Sequence, residues 1–176
     1  GKLGTFFLVL PPSFGPEVHR LEELELLVAK LQPHPLAVKL RHRGWVEGDQ
    51  RERTLEFFRK QKLVWIAVDM PRIAGSTIMP PVDEVTNPHL AYLRLHGRRA
   101  DWLELKDQEA KHTYEYSAAE LEEIAARVRT LAKKAAAVHV VANNHAQDFA
   151  PKTALALQQL LGIEPRGGKG GGGTPA

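Results

Sequence analysis

The sequence predicts an α/β fold of parallel strands curled like part of a TIM barrel, and three observations carry that expectation. Apolar runs of about four to eight residues alternate with segments of helical period, the signature of βα units around a parallel sheet. Period-two sorting within the runs gives one aliphatic and one polar face, so helices are expected on one side and a lumen on the other. The polar residues concentrate toward the carboxyl ends of the strands, where barrel enzymes build their sites.

Five such units can be counted. Strands are expected at about Gly4 to Leu10, Leu36 to His42, Leu63 to Asp69, Leu90 to His96 and Ala137 to Asn143. Pro16 stands where a first helix would open, followed by Val18, Leu21, Leu24, Val28 and Leu31 on one face and by Pro33 and Pro35 as a stop. A second helix is expected at about Arg51 to Lys60, with Leu55, Phe57 and Phe58 apolar. Between Met70 and Pro88 the Pro, Gly, Ser and Thr content predicts a long loop. Ser117 and Glu120 have capping-box spacing before the run "LEEIAARVRTLAKKA", and Pro151 and Gly162 bracket the last helix.

Domain organisation follows from the same pass. Residues 1–163 read as one domain, and residues 164–176, with "RGGKGGGGTPA", read as a disordered Gly-rich tail. A TIM barrel usually takes roughly 250 residues. Five units in 176 residues therefore predict a partial or truncated barrel, a fragment whose first and last strands are exposed edges open to self-association.

Composition narrows the function classes. The chain has 43% apolar residues and no cysteine, which excludes a disulfide framework and a cysteine-rich zinc site. Its longest apolar runs fall short of a membrane span, so a cytoplasmic location without membrane contact is the expectation. A net charge of +3 is too mild to announce a nucleic-acid protein but leans toward anionic partners.

Candidate site residues come from the polar strand faces. Tyr92, Arg94, His96 and Arg98 oppose Leu93 and Leu95; Lys39 and Arg41 oppose Val38 and Leu40. Trp65, Ala67 and Asp69 oppose Val64, Ile66 and Val68, while His139, Val141, Asn143 and His145 oppose Val138, Val140 and Ala142. All the polar sets are expected to face one lumen, with His139 and Trp65 as core residues. Gly97 lets the backbone turn or a ligand come close. The competing view makes Asp69 the centre of a buried ion network with Arg41 or Arg94 that only holds the barrel together.

The motifs "LVLPPSF", "AVKLRHRGW", "VDMP", "YLRLHGR", "YEYSAAEL" and "VVANNH" occur in the order and spacing of the YecE-like family, the domain of unknown function 72, which the chain resembles from about Leu3 to Gly162. The resemblance implies the later strands of a TIM barrel and leaves the activity open. It covers Arg41, His42, Trp45, Asp69, Arg94, His96, Gly97, Arg98, Asn143, Asn144 and His145. The chain departs from it at Val9, Lys39 and Thr153, where the family usually has glutamine, glutamate and asparagine. Lys39 in place of an acid removes a candidate base or metal ligand and makes the mouth more basic.

The leading expectation is an enzyme of hydrolase or isomerase type acting on a phosphorylated or otherwise anionic small molecule. Arg41, Arg94 and Arg98 would hold the anion, with His42 beside them. His96 or His145 would transfer protons, Asp69 would orient one of them or act as base, and Asn143 and Asn144 would fix hydroxyls or carbonyls. No particular cofactor is predicted; a divalent metal on His96, His145 and Asp69 is the variant, although no compact ligand spacing demands it. From another class comes a non-catalytic nucleotide or nucleic-acid module built on Arg72, Arg98, Arg99, Lys106 and Lys111 with Trp102, Tyr114 and Tyr116. An inactive truncated copy is the third alternative.

Overall fold

A computed structural model describes residues 4–144 and 146–164. Five strands, β1 (Phe6–Val9), β2 (Leu36–Lys39), β3 (Val64–Asp69), β4 (Ala91–Leu95) and β5 (Val138–Ala142), pair in chain order and all in parallel. The helices are α1 (Glu25–Leu31), α2 (Gln50–Lys60), α3 (Gln108–Lys111), α4 (Ala118–Ala132) and α5 (Phe149–Leu160). The expected βα alternation is present, and β1 and β5 stand as the edges of a half-barrel. The segment between β3 and β4 is without a helix, as its composition predicts.

Curvature is visible in what the inner face brings together. The Phe7 ring on β1 lies 5.8 Å from Tyr92 on β4, two strands beyond its neighbour β2. A flat sheet spaces neighbouring strands about 4.8 Å apart and would hold these rings much farther from each other. Ala37, fully buried on the intervening β2, is small enough to leave that space.

Two apolar clusters define the faces. The larger packs β2, β3 and β4 against the helices through Val38, Leu40, Trp65, Leu93, Leu95, Phe58 and Ile124. The smaller, Ala37, Val64, Ile66 and Leu90 with Tyr92, lines the inside. Strand β3 is therefore oriented opposite to the sequence expectation. Trp65 meets Phe58 of α2 edge-on at 5.2 Å, so Trp65, Ala67 and Asp69 face the helices while Val64 and Ile66 face the lumen. All six residues of β3 are buried, and with both faces apolar the period of two cannot say which is inside.

Other boundaries shift for local reasons. The first helix opens not at Pro16 but as a 3-10 turn at Leu21–Leu24 that runs into α1, leaving Val18 exposed. α4 begins at the Ser117–Glu120 capping box. α5 starts two residues before Pro151, and Gly162 closes it with φ +65°. His139 is exposed on the open inner face rather than in the core. The tail residues 165–176 lie outside the described residues.

Candidate active site at the strand ends

The strand register sorts the polar residues into two groups on opposite faces of one sheet. On the lumen side, Lys39 ends β2, Arg94 and His96 come from the end of β4, and Asn143 follows β5. Lys39 and His96 are buried, yet Nζ of the lysine is 2.6 Å from Nε2 of the imidazole. The Arg94 guanidinium lies 4.9 Å over the Phe7 ring.

The hydrogen bonds here have a readable direction. A guanidinium can only donate, so Arg94 fixes Oδ1 of Asn143 as its acceptor and turns the amide nitrogen toward His96. Asn143 Nδ2 then donates to His96 Nδ1 at 3.3 Å, which places the proton of a neutral imidazole on Nε2. Nε2–H donates to the Lys39 nitrogen, which must present a lone pair to accept. The chain Arg94, Asn143, His96, Lys39 thus fits an uncharged lysine.

Electrostatics agree with that direction. Burial, then the charges of Arg94 and Arg41, bring the Lys39 amine from its ordinary value down to about 7. Burial, then Lys39, Arg94, His112 and Arg41, hold His96 far below the usual imidazole range, so it stays neutral. His112 approaches from α3's end, with its ring 5.2 Å from that of His96 and 5.1 Å from Trp102.

Lys39 also lines a cavity of about 240 Å³. Arg41 and Lys111 supply further cations, Met70, Met79 and Trp102 supply apolar wall, and no Asp or Glu is among its described lining residues. Lys111 sits over the Trp102 ring at 6.0 Å.

The second group lies on the helix side. Asp69, buried at the end of β3, accepts two hydrogen bonds from Arg98 at 2.8 Å each, one from Arg127 at 2.6 Å and one from Tyr116 at 3.0 Å. Arg127 is shared with Asp83, and Arg98 with Glu123. Hydrogen bonding to Asp69 holds the Arg98 guanidinium above its ordinary value, and burial with the Asp69 charge raises the Tyr116 phenol. Tyr116 accepts from the Gly97 amide at 2.8 Å. Gly97 has φ +92°, and a Cβ there would fall 2.5 Å from Cβ of Tyr114, so the close approach is made by Tyr114.

These positions divide the expected site. His96, Arg94 and Asn143 come together, with Arg41 at the cavity rim. Asp69 and Arg98 do not join them; they neutralise each other behind the sheet, and the ion network forms with Arg98 and Arg127 rather than Arg41 or Arg94. His42 caps the 3-10 turn Arg43–Val46 by accepting from the Gly44 amide at 3.2 Å. Asn144, fully buried, donates to Tyr114 O and to Thr153 Oγ1 at 2.9 and 3.0 Å and fastens α5. His145 lies outside the described residues. With Asp69 turned away, the His96, His145 and Asp69 metal set loses its carboxylate, and no group of three His, Asp or Glu able to hold a metal occurs among the described residues. The basic, aromatic rim is largely committed too, with Arg99 paired to Asp101, Arg72 to Glu123 and Tyr114 to Glu120.

One participant was placed but given no role, and another escaped the sequence reading. Lys39 was expected on the lumen face as a basic residue standing where an acid is usual, and a lysine inside a central strand was itself a signal of more. Arg127 falls at i+3 from Ile124 and i−4 from Leu131, on the buried face of α4.

No helix among the described residues is long and apolar enough to cross a membrane. The family described as "Protein of unknown function DUF72" matches residues 1–173. The chain is 26% identical over 171 residues to the UPF0759 protein YunF of Bacillus subtilis (strain 168), covering 94% of this chain and 60% of that protein. A crystal structure of a DUF72 family protein from Enterococcus faecalis V583 superposes with a TM-score of 0.84 at 25% identity, over 93% of this chain and 60% of the other. One from Thermotoga maritima MSB8 gives 0.78 at 31% identity, over 88% and 56%. The chain thus spans about 60% of the length of these relatives. With its half-barrel, its strand-end motifs and a match over nearly every residue, the chain belongs to the DUF72 family of proteins of unknown function.

Proposed function

We propose that the chain carries an enzyme site of hydrolase or isomerase type for a small anionic molecule, at the carboxyl ends of its strands. One observation supports this above the others: a cavity of about 240 Å³ lined by Lys39, Arg41 and Lys111 with no described carboxylate to neutralise them. Lys39 is the buried member of the three, while exposed Arg41 and half-buried Lys111 keep their charges at the rim, where an anion can meet them. Arg41 and Lys111 would hold the anionic group. Lys39, brought to about 7, is the group whose proton comes and goes near neutrality, and His96 positions it. A larger cleft of about 510 Å³ between α4, α5 and β5 is mostly apolar, with Arg129 the one charged group among its described lining residues, and offers no such chemistry.

Thermal melting of the chain with inorganic phosphate, small carboxylates and sugar phosphates tests this reading. A ligand at about a hundred times its dissociation constant adds roughly 2.7 kcal/mol of stability. That gain should appear with at least one anion and vanish in Arg41→Ala, whose exposed side chain leaves the unliganded melt unchanged. A cooperative melt indifferent to every anion would remove the proposal.

A further inference from the structure

We infer that Lys39 is a nucleophilic amine that forms an imine with the carbonyl carbon of a small anionic aldehyde or keto acid held in the strand-end cavity. This deepens the anion-site reading above and rests on it.

The geometry behind it is the directional hydrogen-bond chain. Lys39 Nζ lies 2.6 Å from His96 Nε2, and in the imidazole tautomer that the Asn143 amide selects it is the lysine nitrogen that accepts, which only an unprotonated amine with a free lone pair can do. The same lone pair is the nucleophile. Among the described residues, the charges that favour the neutral form of Lys39 are Arg94 from β4 and Arg41 beyond the end of its own strand; His96 faces it as a neutral ring, His112 acts on His96, and Lys111 lines the same cavity. The nearest buried carboxylate of the β3 end, Asp69, faces away and is held by two arginines. A lysine desolvated beside other cations is the setting in which an amine becomes a nucleophile at neutral pH. Lys39 is buried within the sheet but opens on the cavity, where Arg41 and Lys111 fit the carboxylate or phosphate of a substrate.

The step closes in atoms and electrons. The Nζ lone pair bonds to the carbonyl carbon and the carbonyl π pair moves to oxygen. One Nζ proton ends on that oxygen, giving a carbinolamine. The hydroxyl then leaves with the second Nζ proton as water, and C=N remains. No oxidant or reductant takes part.

Glyoxylate is the probe, being both an aldehyde and an anion. The full chain is incubated with glyoxylate and sodium borohydride at pH 7, and N-carboxymethyl-lysine is mapped after digestion. Lys39 is expected to be labelled at least about tenfold more than exposed Lys60, with half-maximal labelling near pH 7, because an ordinary lysine is almost wholly protonated there. Inorganic phosphate should slow labelling at Lys39 and leave Lys60 unaffected. Lys39→Arg, checked for a cooperative melt, should bring total labelling down to that of the exposed lysines. If anions stabilise the chain but Lys39 is labelled no faster than Lys60, the imine is overturned and the anion site stands. If Lys39 is labelled equally by uncharged formaldehyde, and no anion competes or stabilises, the anion reading fails and the proposed substrate class with it.

Discussion

Two charged clusters sit at the ends of neighbouring strands and differ in one respect, their balance. Behind the sheet, Asp69 and Asp83 face Arg98 and Arg127, with Tyr116 filling a further lone pair, so each charge meets an opposite charge within 2.8 Å. Inside the half-barrel, Lys39, Arg94 and Arg41 gather around His96 with no carboxylate beside them among the described residues. Both clusters are buried at their centres, so burial alone does not separate structure from site. A closed network has nothing left to bind; an unbalanced one beside a cavity does. The polar strand residues that looked equivalent are therefore of two kinds.

Removing the keystone of the balanced cluster should have the largest effect. Asp69→Ala leaves Arg98 and Arg127 facing each other without their shared acceptor, and losing one partner of a buried ion pair costs about 3–5 kcal/mol. Urea denaturation at neutral pH would show this as a lower midpoint at similar slope. A loss below about 1 kcal/mol would mean that the network does not hold α4 to β3, and the distinction between the clusters would collapse.

The unbalanced cluster should respond with the opposite sign. Lys39→Met replaces a buried amine, which must lose its proton or carry an unpaired charge when folded, by a similar apolar volume, so at pH 7 and below the substitution should be stabilising. The pH dependence sharpens this. Lys39 is held near 7 when folded against an ordinary value of 10.5, so between those values the unfolded chain binds more protons. Wild-type stability should therefore rise with pH from about 7 toward 10, and the penalty for burying the charge is fully present below 7. In Lys39→Met this rise should be absent. The window ends where tyrosines titrate, since Tyr114, pushed up to about 12 by burial and then by its Glu120 hydrogen bond, favours the unfolded state only at higher pH. Unfolding free energies of both proteins across that range decide the matter; parallel curves would show Lys39 to be ordinary.

How much of this was legible in the sequence depended on whether the two faces of a strand differ chemically. On β4, Leu93 and Leu95 against Tyr92, Arg94 and His96 left one orientation, and it is the one observed. On β3, Val64, Ile66 and Val68 against Trp65 and Ala67 left two, and Asp69 followed whichever was chosen. Trp65 could have decided it, because a residue of that size fits beneath α2 against Phe58 more readily than inside a tightly curled sheet. Arg98 was misplaced for another reason: Gly97 at positive φ breaks the alternation one residue earlier. The capping box, the loop after β3 and the Gly162 stop were legible because short-range chemistry fixes them. Long-range partners such as Arg127 with Asp69, 58 residues apart, were not.

The smallest effect belongs to a pair with the same chemistry in a different place. Arg72 and Glu123 form an ion pair at 3.1 Å with side chains 65% and 44% exposed. Glu123 also accepts from Arg98 at 2.8 Å, so Arg72→Ala leaves the carboxylate paired. Water already solvates both charges, and holding two long side chains together offsets most of the attraction, so the loss should be about 0.2–1 kcal/mol. It should fade further in about 1 M salt, where the screening length falls to about 3 Å. A loss approaching that of Asp69→Ala would show that charge balance at this end of the barrel is felt as far as the surface, and Arg72 would then belong with Arg98 and Arg127 rather than with solvent.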